Sequence, residues 1–75
     1  MSTNDGVRNH VRRHRRLREL TQQDLAARVG VTRQTIISIE GGKYNPSVGL
    51  ALRLAEAFGV PVEELFQIDR GEFDD

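Results

Sequence analysis

The sequence predicts an all-α domain, one compact bundle of five helices, and three observations carry that expectation. Apolar residues recur at helical spacing in successive segments, Leu25, Ala26 and Val29 in one and Ile36 and Ile39 in the next. Each segment is bracketed by a residue that suits a helix start and a glycine that suits a stop: Thr21 and Gly30, Thr32 and Gly41, Ser47 and Gly59. The chain has 75 residues, enough for one small domain. A domain of that size buries only about 60% of the surface its unfolded chain exposes, so its own core gives modest stability.

Residues 1–6 are polar, lack apolar periodicity and are expected to form a disordered tail ahead of a domain spanning 7–66. The first helix is expected from near Val7 to about Arg18. Val7, Val11 and His14 share its inner face, Leu17 lies close to that face, and Arg8, Arg12, Arg13 and Arg16 turn to water or phosphate. Thr21 caps the second helix, and Asp24 three residues later closes a short-armed capping box and suits the positive end of the helix dipole. The third helix runs roughly from Arg33 to Glu40, stopped by Gly41-Gly42. After the loop Lys43-Tyr44-Asn45-Pro46, Ser47 caps a fourth helix of about Val48 to Phe58. Only Gly49, Arg53 and Glu56 mark a wet stripe on that helix, which places it at the centre of the bundle, or at the centre and an interface. Pro61 opens a short fifth helix, Val62 to Phe66. Residues 67–75 form an acidic tail, and Phe66-Gln67-Ile68-Asp69 alternates with period two, a pattern open to antiparallel pairing with a twofold mate.

The most informative stretch is Thr21 to Gly41. Its two short helices are joined at Gly30, where the chain must turn sharply, and Ala26 is small enough for two helices to cross closely. With Ile36 and Ile39 turned inward, the second of these helices leaves Arg33, Gln34, Thr35, Ile37 and Ser38 outward. That is the pattern of a helix-turn-helix, whose second helix enters the DNA major groove. Arginine matches guanine O6 and N7 with two donors, and glutamine matches adenine N6 and N7 with a donor and an acceptor. Ile37, about 100° round the helix from Ile36, is either a contact for a thymine methyl or a tolerated surface apolar residue.

The chain resembles the lambda repressor and Cro class of helix-turn-helix regulators, the xenobiotic-response-element family. The resemblance rests on T-Q-x-x-L-A-x-x-V-G-V-T-R-Q-T-I from Thr21 to Ile36, I-E-G-G-K-Y-N-P-S from Ile39 to Ser47, and G-V-P-V-E-E-L-F from Gly59 to Phe66. It implies a cytoplasmic transcription regulator, most simply a repressor, that binds a palindromic operator in double-stranded DNA as a homodimer. It further implies that Gln22 binds phosphate and buttresses the recognition helix, with Thr32, Lys43, Tyr44 and Asn45 as further phosphate contacts. Arg15 and Glu40 match a partly buried structural ion pair of the family. The chain departs from the family pattern at His14, where leucine is usual and where Leu17 is expected to compensate, and at Pro61, where relatives commonly carry a Ser or Thr cap. The acidic C-terminal half is the expected dimer surface, with Leu65, Phe66 and Ile68 as its contacts. It also suits a protein partner, as in the antitoxin of a toxin–antitoxin pair. A restriction–modification controller is the remaining alternative.

Formal net charge is zero, but the distribution is polar. Residues 1–46 carry nine basic and four acidic side chains, 9 − 4 = +5, and residues 47–75 carry two and seven, 2 − 7 = −5. A basic half holding the recognition elements and an acidic half turned away fits a DNA-binding domain with a partner surface. With no cysteine, neither a disulfide framework nor a thiolate metal site is available. His10 and His14 have ligand spacing, but no carboxylate or thiol at suitable spacing completes a site, so no metal or other cofactor is expected. No nucleophile–base grouping, phosphate-cradling glycine loop or carboxylate pair can be assembled, so no enzymatic activity is expected. No apolar run approaches the roughly 18 residues of a membrane span.

Overall fold

The computed structural model describes residues 6–69. In chain order the elements are β1 (Val7–Asn9), α1 (Val11–Leu17), α2 (Gln22–Val29), α3 (Arg33–Glu40), α4 (Val48–Phe58), α5 (Val62–Leu65) and β2 (Phe66–Ile68). The five helices form the bundle the sequence predicts, and the two short strands pair antiparallel beside it.

Helix starts follow from local chemistry. The Thr21 hydroxyl accepts from the Asp24 backbone N–H at 2.9 Å, and the Asp24 carboxylate accepts from the Thr21 N–H at 3.0 Å, so the capping box is closed in both directions. Thr32 and Ser47 accept from the N–H groups of Thr35 and Leu50 at 3.2 and 3.1 Å, satisfying donors that the first turns of α3 and α4 leave unpaired. Gly30 ends α2 in the left-handed region with φ +77°. A Cβ there would meet nothing nearer than the Arg53 guanidinium at 3.7 Å, so the backbone conformation, not crowding, calls for glycine.

Three helices build most of the core. Leu25, Ala26 and Val29 enter from α2, Ile36 and Ile39 from α3, and Leu50, Leu54, Ala55 and Phe58 from α4, while Val11 of α1 and Leu65 of α5 close the ends. Helix α2 packs against both α3 and α4. Helix α3 is therefore held by an apolar seam along its inner flank, and its leading end stays exposed at Arg33 and Gln34.

The structure departs from the sequence expectations at both ends of the bundle. Helix α1 begins at Val11, not near Val7, and Val7–Asn9 is extended. Asn9 is the cause: its side-chain oxygen accepts from the Val11 N–H at 3.3 Å, and its amide donates to the Ile39 carbonyl at 3.0 Å. Asparagine used this way competes with continued helix. Helix α5 stops at Leu65, with Pro61 as its N-cap and with no side-chain capping bond. The period-two stretch does form a strand, but the partner found is the chain's own β1, in the register Val7↔Ile68, Arg8↔Gln67, Asn9↔Phe66. The His10 N–H donates to the Leu65 carbonyl at 2.9 Å, and the Asp69 N–H bonds to the Gly6 carbonyl, extending the pairing at both ends.

Leu17 does not compensate for His14, since it is 69% exposed. His14 itself meets the Phe58 ring at a centroid distance of 5.7 Å, and the Arg18 guanidinium lies 5.0 Å from the same ring. A histidine here packs where a leucine is usual because the arginine one turn later helps cover the phenylalanine. Partial burial, then the Arg18 charge, hold the His14 pKa below its ordinary value against the opposing pull of Glu64. The wet stripe of α4 is also wider than expected. Val48 and Leu52 stand exposed beside Gly49, Arg53 and Glu56, so that face is partly apolar.

Candidate nucleic-acid interface

The inside and outside of α3 alternate as its composition requires. Ile36 and Ile39 are fully buried, Arg33 and Gln34 are exposed at the leading end, and Thr35, Ile37 and Ser38 are half-buried along the flank. Among the described residues neither the Arg33 nor the Gln34 side chain has a hydrogen bond or ion pair, so their full donor and acceptor sets are unengaged. The Thr35 hydroxyl is instead 3.1 Å from that of Thr32, so it belongs to the N-cap of α3 as much as to its outer face. Thr32 is exposed beside the α3 N-terminus, where unpaired N–H groups and the dipole favour an anion.

The far end of α3 is anchored by a buried carboxylate. The Glu40 side chain has no accessible surface, and Arg15 grips it through two bonds, Nε to Oε2 at 2.7 Å and Nη2 to Oε1 at 3.1 Å. The remaining Arg15 nitrogen donates to the Leu20 carbonyl at 2.9 Å. Gln22 donates to Glu40 Oε1 at 3.2 Å, and Arg12 approaches the same oxygen at 3.5 Å. Burial pushes the Glu40 carboxyl upward, but the bonds from Arg15 and Gln22 and the Arg15 charge outweigh it, and the net shift is downward. The bond to Glu40, opposed by partial burial, pushes the Arg15 pKa further up. This network fixes α3 against α1 and α2, so the angle of its outer flank does not depend on apolar packing alone.

Gln22 thus buttresses α3 directly, and its position at the first turn of α2 puts it on the same side as Arg33, since both line one cleft. Lys43 and Tyr44 are exposed in the loop after α3, Tyr44 by 45%, and Asn45 is half-buried there. The Lys43 N–H donates to the Ser38 carbonyl at 2.9 Å, which holds the start of that loop close to α3.

The remaining candidates separate. Leu65 is fully buried and has no surface to offer a second chain, Phe66 is half-buried against the core, and Ile68 is 68% exposed. His10 and His14 take different partners, Gln67 and the Arg18–Phe58 pair. Among the described residues no group of three or more His, Cys, Asp or Glu is arranged to hold a metal ion. Nor is any helix among the described residues long and apolar enough to cross a membrane. Sequence reasoning missed Asn9, which tethers the last turn of α3 through the Ile39 carbonyl. The available signal was a cap-type residue just ahead of an apolar periodic run. It also missed the approach of Arg12 to Glu40, which no spacing along the chain reveals.

Residues 11–65 match the family model described as helix-turn-helix. The chain belongs to the helix-turn-helix family. It is 52% identical over 60 residues to an HTH-type transcriptional regulator of Methanocaldococcus jannaschii, a match covering 80% of this chain and 91% of the relative. A second such regulator, from Methanothermobacter thermautotrophicus, is 52% identical over 64 residues, covering 84% and 93%. Among solved structures, the restriction-modification controller protein C.AhdI from Aeromonas hydrophila superposes with a TM-score of 0.69 at 31% identity, covering 73% of this chain and 80% of that one. The protein is thus a DNA-binding transcription regulator of the Cro and lambda-repressor type, and α2 and α3 are its helix-turn-helix.

Proposed function

We propose that this regulator is a repressor that binds a pseudo-palindromic operator as a homodimer, with α3 of each subunit in successive major grooves and half-sites about 10 bp apart. The observation that carries the reading is the leading end of α3, where Arg33 and Gln34 are exposed and unpartnered on a helix locked at both ends. Thr35, Ile37 and Ser38 extend the base-facing flank, and Gln22, Thr32, Lys43, Tyr44 and Asn45 hold phosphates to either side. The site is the cytoplasmic chromosome or a plasmid or phage genome, occupancy excludes polymerase, and no cofactor takes part. One such domain makes too few base contacts for useful discrimination, which supports a dimer.

The dimer surface best supported is the exposed apolar face of α4, Val48 and Leu52, with Ile68. An open groove of about 170 Å³ adjoins it, lined by Val7, Val48, Ala51, Val62 and Phe66 among others. The likeness to C.AhdI favours one second reading, a restriction–modification controller. A methyltransferase and nuclease pair beside the gene separates that reading from a dedicated repressor.

The test is selection of bound sequences from a random DNA pool at stated salt. Arg33→Ala is expected to relax preference at particular base positions and to cost about 1–3 kcal/mol per half-site. Lys43→Ala is expected to weaken binding to all sequences alike and to lower the salt slope by about one unit. Wild-type affinity and base preference in both variants would overturn the assignment of roles.

A further inference from the structure

One side chain joins the small sheet at the two ends of the fold to the far end of α3. Asn9, the last residue of β1, is half-buried, and both atoms of its amide are engaged. Its Oδ1 accepts from the Val11 N–H at 3.3 Å, and its Nδ2 donates to the Ile39 carbonyl at 3.0 Å. That task needs a donor and an acceptor on one short arm. Aspartate brings acceptors only, and serine stops one bond short of the carbonyl.

The Ile39 carbonyl also accepts from the Gly42 N–H at 3.0 Å, where the chain leaves α3 for the loop of Lys43 and Tyr44. An oxygen with two lone pairs is filled from the loop on one side and by Asn9 on the other. Losing the Asn9 bond therefore leaves this carbonyl still paired. The bond matters for placement, because it fixes the end of α3 against β1. Arg15 and Gln22 hold the same end through Glu40, from α1 and α2. Asn9 supplies a third tie, from the sheet.

Asn9 is itself held by the pairing of the strands. It stands opposite Phe66, which packs against the core, and the neighbouring His10 N–H donates to the Leu65 carbonyl at 2.9 Å. Farther along, Arg8 reaches Asp69 at 3.0 Å. We propose that Asn9 is a positioning residue for DNA recognition, through which the pairing of β1 with β2 sets the placement of α3. This rests on the DNA-binding reading of α3 and extends it to strands that carry no base contact. Arg33 lies six positions from Ile39, about 9 Å along the helix axis, so a tilt at one end displaces the other. Hydrogen bonds to base edges fail within a few tenths of an ångström, whereas attraction between charges falls off slowly with distance. A loosened α3 thus loses selected sequences before it loses DNA in general.

The experiment compares the affinity of the full chain for DNA selected from the random pool with that for an unrelated duplex of equal length. Both are measured at one salt concentration and well below each variant's unfolding midpoint. A merely structural residue lowers the folded fraction, which scales both affinities alike and leaves their ratio unchanged. Asn9→Ser keeps an acceptor beside the Val11 N–H but has no donor that reaches Ile39. It is expected to lower the ratio about tenfold, roughly the worth of one base contact. Gln67 is exposed on β2, so Gln67→Pro removes a backbone donor from the sheet without removing a core side chain. It lowers the ratio in the same direction, and the double variant falls no further than the weaker-binding single one, since both act through one bond. Gln67→Gly, a milder weakening of the strand, takes its place if the proline variant does not fold. An unchanged ratio in Asn9→Ser, while Arg33→Ala still alters base preference, overturns the proposal and leaves the DNA-binding reading standing. So does a double variant whose losses simply add, because Asn9 and the sheet then act separately. Failure of the wild type to select any sequence overturns both.

Discussion

Arg15→Ala lowers folding stability by about 3–5 kcal/mol, a large share of the 5–15 kcal/mol available to a domain. The Glu40 carboxylate has no accessible surface and the Arg15 side chain is only 12% exposed, so removing the arginine leaves a charge in a place water does not reach. Gln22 at 3.2 Å and Arg12 at 3.5 Å remain, but neither repeats the two-bond grip. The cost comes from the stranded charge and not from any large net value of the pair. Accordingly the double variant Arg15→Met with Glu40→Leu, which removes both charges and refills the space, loses far less than the single one. Urea denaturation of the three proteins decides it, and a single-variant loss below about 1 kcal/mol would show the pair to be a surface contact.

The same carboxylate sets an acid limit. A group whose pKa is lower in the folded than in the unfolded chain binds fewer protons when folded. Its stabilisation is complete above the unfolded value and is lost as pH falls through the folded one. For Glu40, shifted down from an ordinary value of 4.5, wild-type stability falls from about that pH downward, and the double variant falls less over the same range.

What could be read from the chain, and what could not, divides by the distance over which the cause acts. Helices α2, α3 and α4 have their stated bounds because Thr21, Thr32 and Ser47 cap them within three residues, and a one-dimensional pattern holds that information. Val7 fits the helical spacing of Val11 and His14, yet it lies in β1, because its competing partner Ile68 is 61 residues away and the rival use of Asn9 depends on a carbonyl of α3. Leu17 likewise has a helical phase close to the inner face. Whether that phase is covered depends on what lies opposite, and His14 with Arg18 already occupies Phe58. For the site, the exposure of Arg33 and Gln34 follows from the phase of Ile36 and Ile39 on the same helix. The cleft that Gln22 shares with Arg33 does not, because it depends on how Arg12 and Arg16 of one helix are set against the first turn of another and against Arg33.

Two adjacent isoleucines give the sharpest separation of stability from recognition. Ile36 is fully buried on the inner face of α3, and Ile36→Ala is expected to cost about 2–5 kcal/mol, from lost burial together with a cavity that so small a core closes only in part. Ile36→Val, which removes one methylene, costs about 0.5–1.5 kcal/mol. Ile37 is half-buried on the outer flank, so Ile37→Ala removes little core contact and changes stability by less than about 1 kcal/mol. If Ile37 meets a thymine methyl, as proposed for the outer flank of α3, Ile37→Ala is expected to weaken DNA binding at particular positions only. Ile36→Ala acts in the opposite sense. Well below its lowered midpoint it keeps the same base preference, because Arg33 and Gln34 are untouched, but binds more weakly to all sequences as the helix that carries them is held less firmly. Denaturation midpoints and a base-by-base affinity profile, taken on both variants at a temperature where each is folded, distinguish the roles. Equal stability losses at the two positions would mean that α3 is rotated from the orientation that places Ile36 inward and Ile37 on the outer flank.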